Sequence, residues 1–288
     1  MAAAPPSRPQ KGRYRRSWPR WRQDGLAPVT AAAVVASGIL GPRSRTLRSA
    51  PLAPSALAKP SAPPGASAPQ NSSVAGLGAI ATRRTPCATM HFATPIYRRR
   101  LAPKVRELND ELAVEMQQLW EMDEEGRDWS GAHYFGGYTS YGSMRALHKM
   151  SSTFRSLQRR VDGHVRAFAA VLDFDEPEAL EMTDCWVNAM PHGTSHGLHL
   201  HPGSTISGVY YVATPDGCPG IRFEDPRLDR MMAAPPRKRE SRRGRQQLVE
   251  YPARAGDVVL FESWLRHSVA PSPIEEERLS VSFNYHWC

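Results

Sequence analysis

Cysteine is scarce in this chain. Only Cys87, Cys185, Cys218 and Cys288 occur in 288 residues, and no two of them form a Cys-x-x-Cys pair. That spacing argues against a zinc ribbon and against a disulfide-framed secreted domain, and it predicts free thiols. Long apolar runs are also missing. The longest candidate, residues 26–40, reads LAPVTAAAVVASGIL and falls short of the roughly 20 residues that a spanning helix needs, so no membrane span is expected in the mature chain. Acidic residues are nearly absent from residues 1–90, which hold one acid against 13 Lys and Arg and contain 13 of the 26 prolines. With neither helical nor strand periodicity, such a segment cannot bury enough apolar area to offset its ordering entropy. It reads as a disordered Ala/Pro/Arg-rich presequence or tail. Being Arg- and Ser-rich and acid-poor, it fits the description of an organelle transit peptide, for a plastid or a mitochondrion, with residues 26–40 as the apolar part of a bipartite signal. A tail with no address would leave the protein cytoplasmic.

Residues 91–288 differ from this segment, with 24 Lys and Arg against 27 Asp and Glu. The formal charge of +9 therefore belongs to the N-terminal segment, and the body is slightly acidic. One basic run remains there, Arg237-Lys238-Arg239 with Arg242-Arg243-Gly244-Arg245. No aromatic residue is interleaved for base stacking, so nucleic acid is disfavoured as a partner. The 41% apolar fraction is enough for a core.

One more absence directs attention to a site. No Asp or Glu lies between Asp184 and Asp216, a stretch that holds His199-Leu200-His201-Pro202. Side chains two apart on a strand share a face, so His199 and His201 project together. A strand and a turn follow, Thr205-Ile206-Ser207-Gly208-Val209-Tyr210-Tyr211-Val212-Ala213 and then Pro215-Asp216-Gly217. His-x-His alone is a weak metal signal, because most His residues are surface groups or hydrogen-bonded core groups. Downstream, Ser263-Trp264-Leu265-Arg266-His267-Ser268-Val269 places a third His at the start of a strand. The last strand alternates, with Arg278, Ser280, Ser282 and Asn284 on one face and Leu279, Val281, Phe283 and Tyr285 on the other. A buried Arg at the head of the polar face calls for an anion, since the guanidinium keeps its proton.

The pattern of secondary structure is helices first and strands after. Val105, Leu108, Leu112, Met116 and Leu119 mark one amphipathic helix, and Leu147, Met150, Phe154, Leu157, Val161, Val165 and Phe168 mark a second. Between them residues 129–142, rich in Gly and aromatics, read as an irregular loop that either packs the barrel mouth or walls a substrate. From residue 180 about eight short strands follow. The reading is a jelly-roll (double-stranded β-helix) barrel, mainly β and backed by two helices, spanning 91–288 with a helical part at 103–172 and a β core at 180–288. In such a barrel His201 and His267 can meet at one mouth.

Taken together, these motifs resemble the iron(II)- and 2-oxoglutarate-dependent oxygenases. The resemblance rests on the His-x-His-Pro, Ser207-Gly208-Val209-Tyr210-Tyr211-Val212, Asp225-Pro226-Arg227, Ser-Trp-Leu-x-His-Ser-Val and Arg-x-Ser motifs and spans 91–288. It implies iron on His199 and His267, and the distal carboxylate of 2-oxoglutarate on Arg278 and Ser280. His201 occupies the position of the family's usual carboxylate ligand. It is expected as the third ligand, with Glu224, Asp225 and Asp257 as acids that would have to reach in from elsewhere. The activity implied is hydroxylation of a C–H bond in a small molecule or peptide, with release of succinate and CO2, and Asn188 and Tyr210 are possible contacts. Two other readings stay open. A cupin-like dioxygenase with three His ligands would explain His201 but leave Arg278 without its anion, and a non-catalytic jelly-roll binding module would make the three His incidental.

Overall fold

A computed structural model describes residues 91–288, which lie within one compact unit, Met90–Cys288. The expectations for residues 1–90, a disordered presequence or tail with an organelle address, lie outside the described residues. Helix α1 (Val105–Met122) buries Leu108, Leu112 and Met116, one stripe at four-residue steps. Helix α4 (Ser152–Val171) follows two shorter helices, α2 (Glu124–His133) and α3 (Leu147–Met150). It starts at Ser151, whose hydroxyl accepts from the amides of Thr153 and Phe154, a cap worth about 1 kcal/mol. Its buried face is Phe154, Leu157, Val161, Val165 and Phe168. Leu112 and Phe154 are completely buried, each contributing about 1.5–3 kcal/mol.

Ten strands are present among the described residues: β1 (Tyr97–Arg100), β2 (Tyr138–Thr139), β3 (Leu180–Met190), β4 (His196–His199), β5 (Ile206–Ala213), β6 (Ile221–Glu224), β7 (Leu248–Tyr251), β8 (Asp257–Glu262), β9 (His267–Val269) and β10 (Arg278–Trp287). They form two antiparallel sheets, ordered β1-β8-β5-β10-β3-β2 and β4-β9-β6-β7. Strands β3 to β10 alternate between the sheets, except that β6 and β7 pair with each other in the smaller one; this is the order of a jelly roll, and it makes sequence-distant strands neighbours. Helices α1 and α4 pack against each other and against the larger sheet. The contact is stitched by Tyr285, whose hydroxyl donates to Asp162 (2.6 Å), and by Asn109, which donates to the Val212 carbonyl (2.8 Å). No described helix is long and apolar enough to cross a membrane.

Strand β10 is the hinge of the argument from fold to site. Leu279, Val281, Phe283 and Tyr285 are buried, while Arg278, Ser280, Ser282 and Asn284 face a cavity of about 680 Å³, as the alternation predicts. One expectation is corrected. Residues 129–142 are not a continuous irregular loop, because α2 runs through to His133 before β2 begins. The helix carries no long apolar stripe. It is fixed instead by buried Asp123, which caps the Gly126 amide (2.9 Å) and accepts from Tyr138 (2.7 Å) and Ser143 (2.6 Å).

Candidate active site

Strands β4 and β9 pair with His199 directly opposite His267, and His201 follows two residues beyond His199. Their possible ligand atoms all lie within 4.8 Å of one another, and they make the one group of three or more His, Cys, Asp or Glu so arranged among the described residues. The Nδ1 atoms are already committed. His199 Nδ1 lies 2.7 Å from the Gly197 carbonyl and His267 Nδ1 lies 2.9 Å from the Leu265 carbonyl. A carbonyl can only accept, so each Nδ1 carries the proton and each neutral ring presents a bare Nε2 lone pair. His201 Nδ1 donates to Asn284 Oδ1 at 2.6 Å, with Ser207 Oγ 2.9 Å away; Ser207 in turn donates to the same Asn284 oxygen (2.8 Å) and meets Ser263 Oγ (2.7 Å).

Burial, and then the neighbouring His199, push the His267 pKa down to about 3, and burial lowers that of His201. Near neutral pH both rings are uncharged, the form that coordinates a metal. The acids that could have replaced His201 are engaged elsewhere. Glu224 pairs with Arg266 (3.0 Å), Asp225 with Arg227 (2.9 Å) and Arg230 (2.6 Å), and Asp257 with Arg98 (2.7 Å). Asp184 lines the cavity and accepts from Thr183 at 2.9 Å. The donor set is three imidazoles, which suits a first-row divalent metal such as iron(II).

The other end of the cavity holds Arg278, 2% exposed. Among the described residues its Nη1 donates to the Pro219 carbonyl (2.9 Å), its Nη2 meets only the Met190 sulfur (2.7 Å), and its buried Nε has no hydrogen-bond partner. The guanidinium carbon lies 5.6 Å from the centre of the Tyr211 ring. No carboxylate makes a salt bridge with it among the described residues. Beside it, a row of three residues crosses the larger sheet, because Ser280 pairs with Asn188 on β3 and with Tyr211 on β5. Asn188 Oδ1, Ser280 Oγ and the Tyr211 hydroxyl are all buried and without hydrogen-bond partners. A buried charge and buried polar atoms are costly when unpaired. An anionic ligand with a carboxylate terminus fits this cradle, where Arg278 supplies the charge and the Ser280 and Tyr211 hydroxyls supply donors, while Asn188 Oδ1 can only accept.

His199, His201, His267, Arg278, Ser280 and Asn188 thus line one cavity. Tyr210 does not. Its hydroxyl donates to Asn109 on α1 at 2.5 Å, on the helix side of the sheet, and Tyr211 takes the cavity position. Every residue of β5 from Ile206 to Val212 is buried, so hydropathy carries no alternation there. The usable signal was Ser207: two and four residues on lie Val209 and Tyr211. His196 and Tyr134 were also missed. Their ring centroids are 4.6 Å apart and the Tyr134 hydroxyl lies 2.7 Å from His196 Nε2. Burial, followed by the Arg278 charge, holds the His196 pKa well below the ordinary value.

Residues 184–284 match a family model described as "Putative 2OG-Fe(II) oxygenase". No curated protein matches the chain. Among solved structures it is similar to a Pseudomonas putida prolyl-4-hydroxylase, with 18% identity over 68% of this chain and 94% of that one and a TM-score of 0.45. It is also similar to HygX from Streptomyces hygroscopicus, solved with nickel, 2-oxoglutarate and hygromycin B bound (15% identity, 67% and 83% coverage, TM-score 0.46). A third similar structure is the non-heme alpha-ketoglutarate-dependent epimerase SnoN from nogalamycin biosynthesis (15% identity, 67% and 78% coverage, TM-score 0.46).

Proposed function

We propose, from the premise that residues 184–284 are a 2OG-Fe(II) oxygenase domain and the protein an oxidoreductase using iron(II) and 2-oxoglutarate, that it hydroxylates a C–H bond of a small molecule or peptide. His199, His201 and His267 hold the iron, and Arg278 with Ser280 holds the distal carboxylate of 2-oxoglutarate. Bound iron supplies the activation of dioxygen, with oxidative decarboxylation of the co-substrate to succinate and CO2 and transfer of one oxygen atom to substrate. One observation carries this reading: three Nε2 atoms, freed by their Nδ1 hydrogen bonds, share a cavity with a buried guanidinium that no acid among the described residues neutralises.

The protein's own contribution is placement. The carbonyls of Gly197 and Leu265 and the amide oxygen of Asn284 fix the tautomer and ring orientation of the three ligands. Arg278 orients the co-substrate by offering charge and directed N–H groups, and the Ser280 and Tyr211 hydroxyls add hydrogen bonds on one side of it. Phe261 packs on His267 with ring centroids 4.5 Å apart, and Trp186 lies 5.9 Å from His201. These rings give His267 and His201 apolar flanks, while His199 stays exposed at the mouth. A three-His dioxygenase without a 2-oxo acid would use the same imidazoles. It would leave the Arg278 charge uncompensated, and the cradle favours the 2-oxoglutarate reading. A basic N-terminal segment that serves as an organelle presequence remains part of the proposal.

The test is release of succinate from 2-oxoglutarate by anaerobically purified, iron(II)-loaded protein on admission of dioxygen. Iron-dependent succinate formation that disappears in His267→Ala and in Arg278→Ala is expected. Stoichiometric iron binding with no consumption of 2-oxoglutarate would overturn it.

A further inference from the structure

His196 has a hydrogen-bond arrangement that differs from that of the three ligand imidazoles. In those the Nδ1 is tied to an oxygen acceptor and Nε2 faces the cavity. In His196 it is Nε2 that is tied, to the Tyr134 hydroxyl at 2.7 Å. Tyr134 is buried, and its hydroxyl makes no other hydrogen bond. A buried phenol O–H needs an acceptor, so Tyr134 donates and Nε2 accepts. The ring proton must then sit on Nδ1. That nitrogen makes no hydrogen bond with the described residues, and His196 lines the cavity. Its ring lies 6.3 Å from that of His199, and Arg278 lines the same cavity. His196 therefore presents a neutral N–H donor beside the metal end of the cavity, whereas the three ligand rings present lone pairs.

We propose that His196, oriented by Tyr134, is a positioning residue for the co-substrate and donates from Nδ1 to the carboxylate adjacent to the keto group of 2-oxoglutarate. The inference rests on the reading of His199, His201 and His267 as metal ligands. The distal carboxylate already has Arg278, Ser280 and Tyr211 within its cradle. The near carboxylate, held beside the metal, lacks a donor among the residues assigned so far. A neutral donor there orients the carboxylate without competing for the metal, because its lone pair points the other way.

The experiment uses full-length protein loaded with Co(II), and calorimetric binding of two 2-oxo acids, 2-oxoglutarate and 2-oxobutyrate. The second shares the keto group and near carboxylate and lacks the distal one. His196→Phe is expected to weaken both by the same factor of about ten, with Co(II) content unchanged. His196→Gln, which can still donate, recovers part of the loss. Tyr134→Phe, which keeps the ring and removes only the O–H that fixes the tautomer, weakens both acids about threefold, and decides the matter if His196→Phe fails to fold. Unchanged affinity for both acids in a folded His196→Phe or in Tyr134→Phe, or a loss confined to 2-oxoglutarate, would overturn the proposal. Wild-type protein that binds no Co(II) would instead remove the metal reading beneath it, so the two failures are separate.

Discussion

The two ends of the cavity are prepared in opposite ways. At the metal end each imidazole has its Nδ1 proton satisfied, and His201 and His267 are held neutral by burial, so that end costs the empty protein little. At the anion end Arg278 keeps a full positive charge at 2% exposure, with one nitrogen unpaired and a thioether sulfur as a poor acceptor for another. A neutral, hydrogen-bonded cluster can accept a cation without rearrangement, and an uncompensated buried guanidinium is relieved only by an anion. The difference sets an expectation about stability. Metal binding adds to a site whose Nδ1 atoms are already hydrogen-bonded, whereas 2-oxoglutarate brings the buried guanidinium a counter-charge.

The comparison is broken most severely at the metal end. His199→Ala or His267→Ala removes one of three donors, and iron content measured after anaerobic loading is expected to fall to a few per cent of wild type. His201→Ala is expected to lose iron to a similar degree, whereas His201→Asp retains it by completing a two-His, one-carboxylate ligand set. Near-normal iron in His201→Ala would show that His199 and His267 suffice.

At the anion end, Arg278→Ala is expected to weaken 2-oxoglutarate by at least about a hundredfold, since two charge-assisted bonds are each worth about 1.5–3 kcal/mol. Iron binding persists. Arg278→Met separates the two ends more sharply. Filling the space with an apolar side chain should raise the melting temperature of the ligand-free protein while abolishing the further rise that 2-oxoglutarate gives wild type. A lower melting temperature for ligand-free Arg278→Met would mean that the charge is compensated after all.

Asn284→Ala tests how far the metal end depends on its outer hydrogen bonds. Loss of the acceptor at 2.6 Å from His201 Nδ1 frees the ring to change tautomer, and metal affinity is expected to drop about tenfold. Equal affinity in competition with a chelator would locate the control of His201 in Ser207 instead.

How much of this was legible in the sequence depended on which strand carried it. Strand β10 has one face on the helices and one on a polar cavity, so its alternation named Arg278, Ser280, Ser282 and Asn284 directly. The same rule placed His199 and His201 together. Only the topology could bring His267 opposite His199, and the barrel order supplied it. Strand β5 was opaque because it is buried on both faces; nothing in its hydropathy says which tyrosine faces inward. Helix α2 was opaque for another reason, since a buried Asp123 network rather than an apolar stripe holds it. His196 carries no signal of its own in the sequence, because its separate tautomer depends on Tyr134, 62 residues away.

The smallest effect is also the one that checks the corrected assignment on β5. Tyr210 and Tyr211 are adjacent, both buried, and both deliver a hydroxyl, yet to opposite faces of the sheet. The Tyr210 hydroxyl donates to Asn109 Oδ1 at 2.5 Å, and Asn109 in turn donates to the Val212 carbonyl, so Tyr210→Phe leaves a buried amide oxygen short of a donor. That variant is expected to lose about 1 kcal/mol of stability, with no change in affinity for 2-oxoglutarate. The Tyr211 hydroxyl has no partner to lose, so Tyr211→Phe should leave the stability of the ligand-free protein unchanged or slightly raised. Its cost appears only when the co-substrate is present, as a three- to tenfold weaker affinity, the equivalent of about 0.7–1.4 kcal/mol for one hydrogen bond. Denaturant unfolding of both variants with and without 2-oxoglutarate separates the two faces. If Tyr210→Phe were the variant that weakened 2-oxoglutarate, the inward face of β5 would have to be reassigned, and the row Asn188, Ser280 and Tyr211 with it.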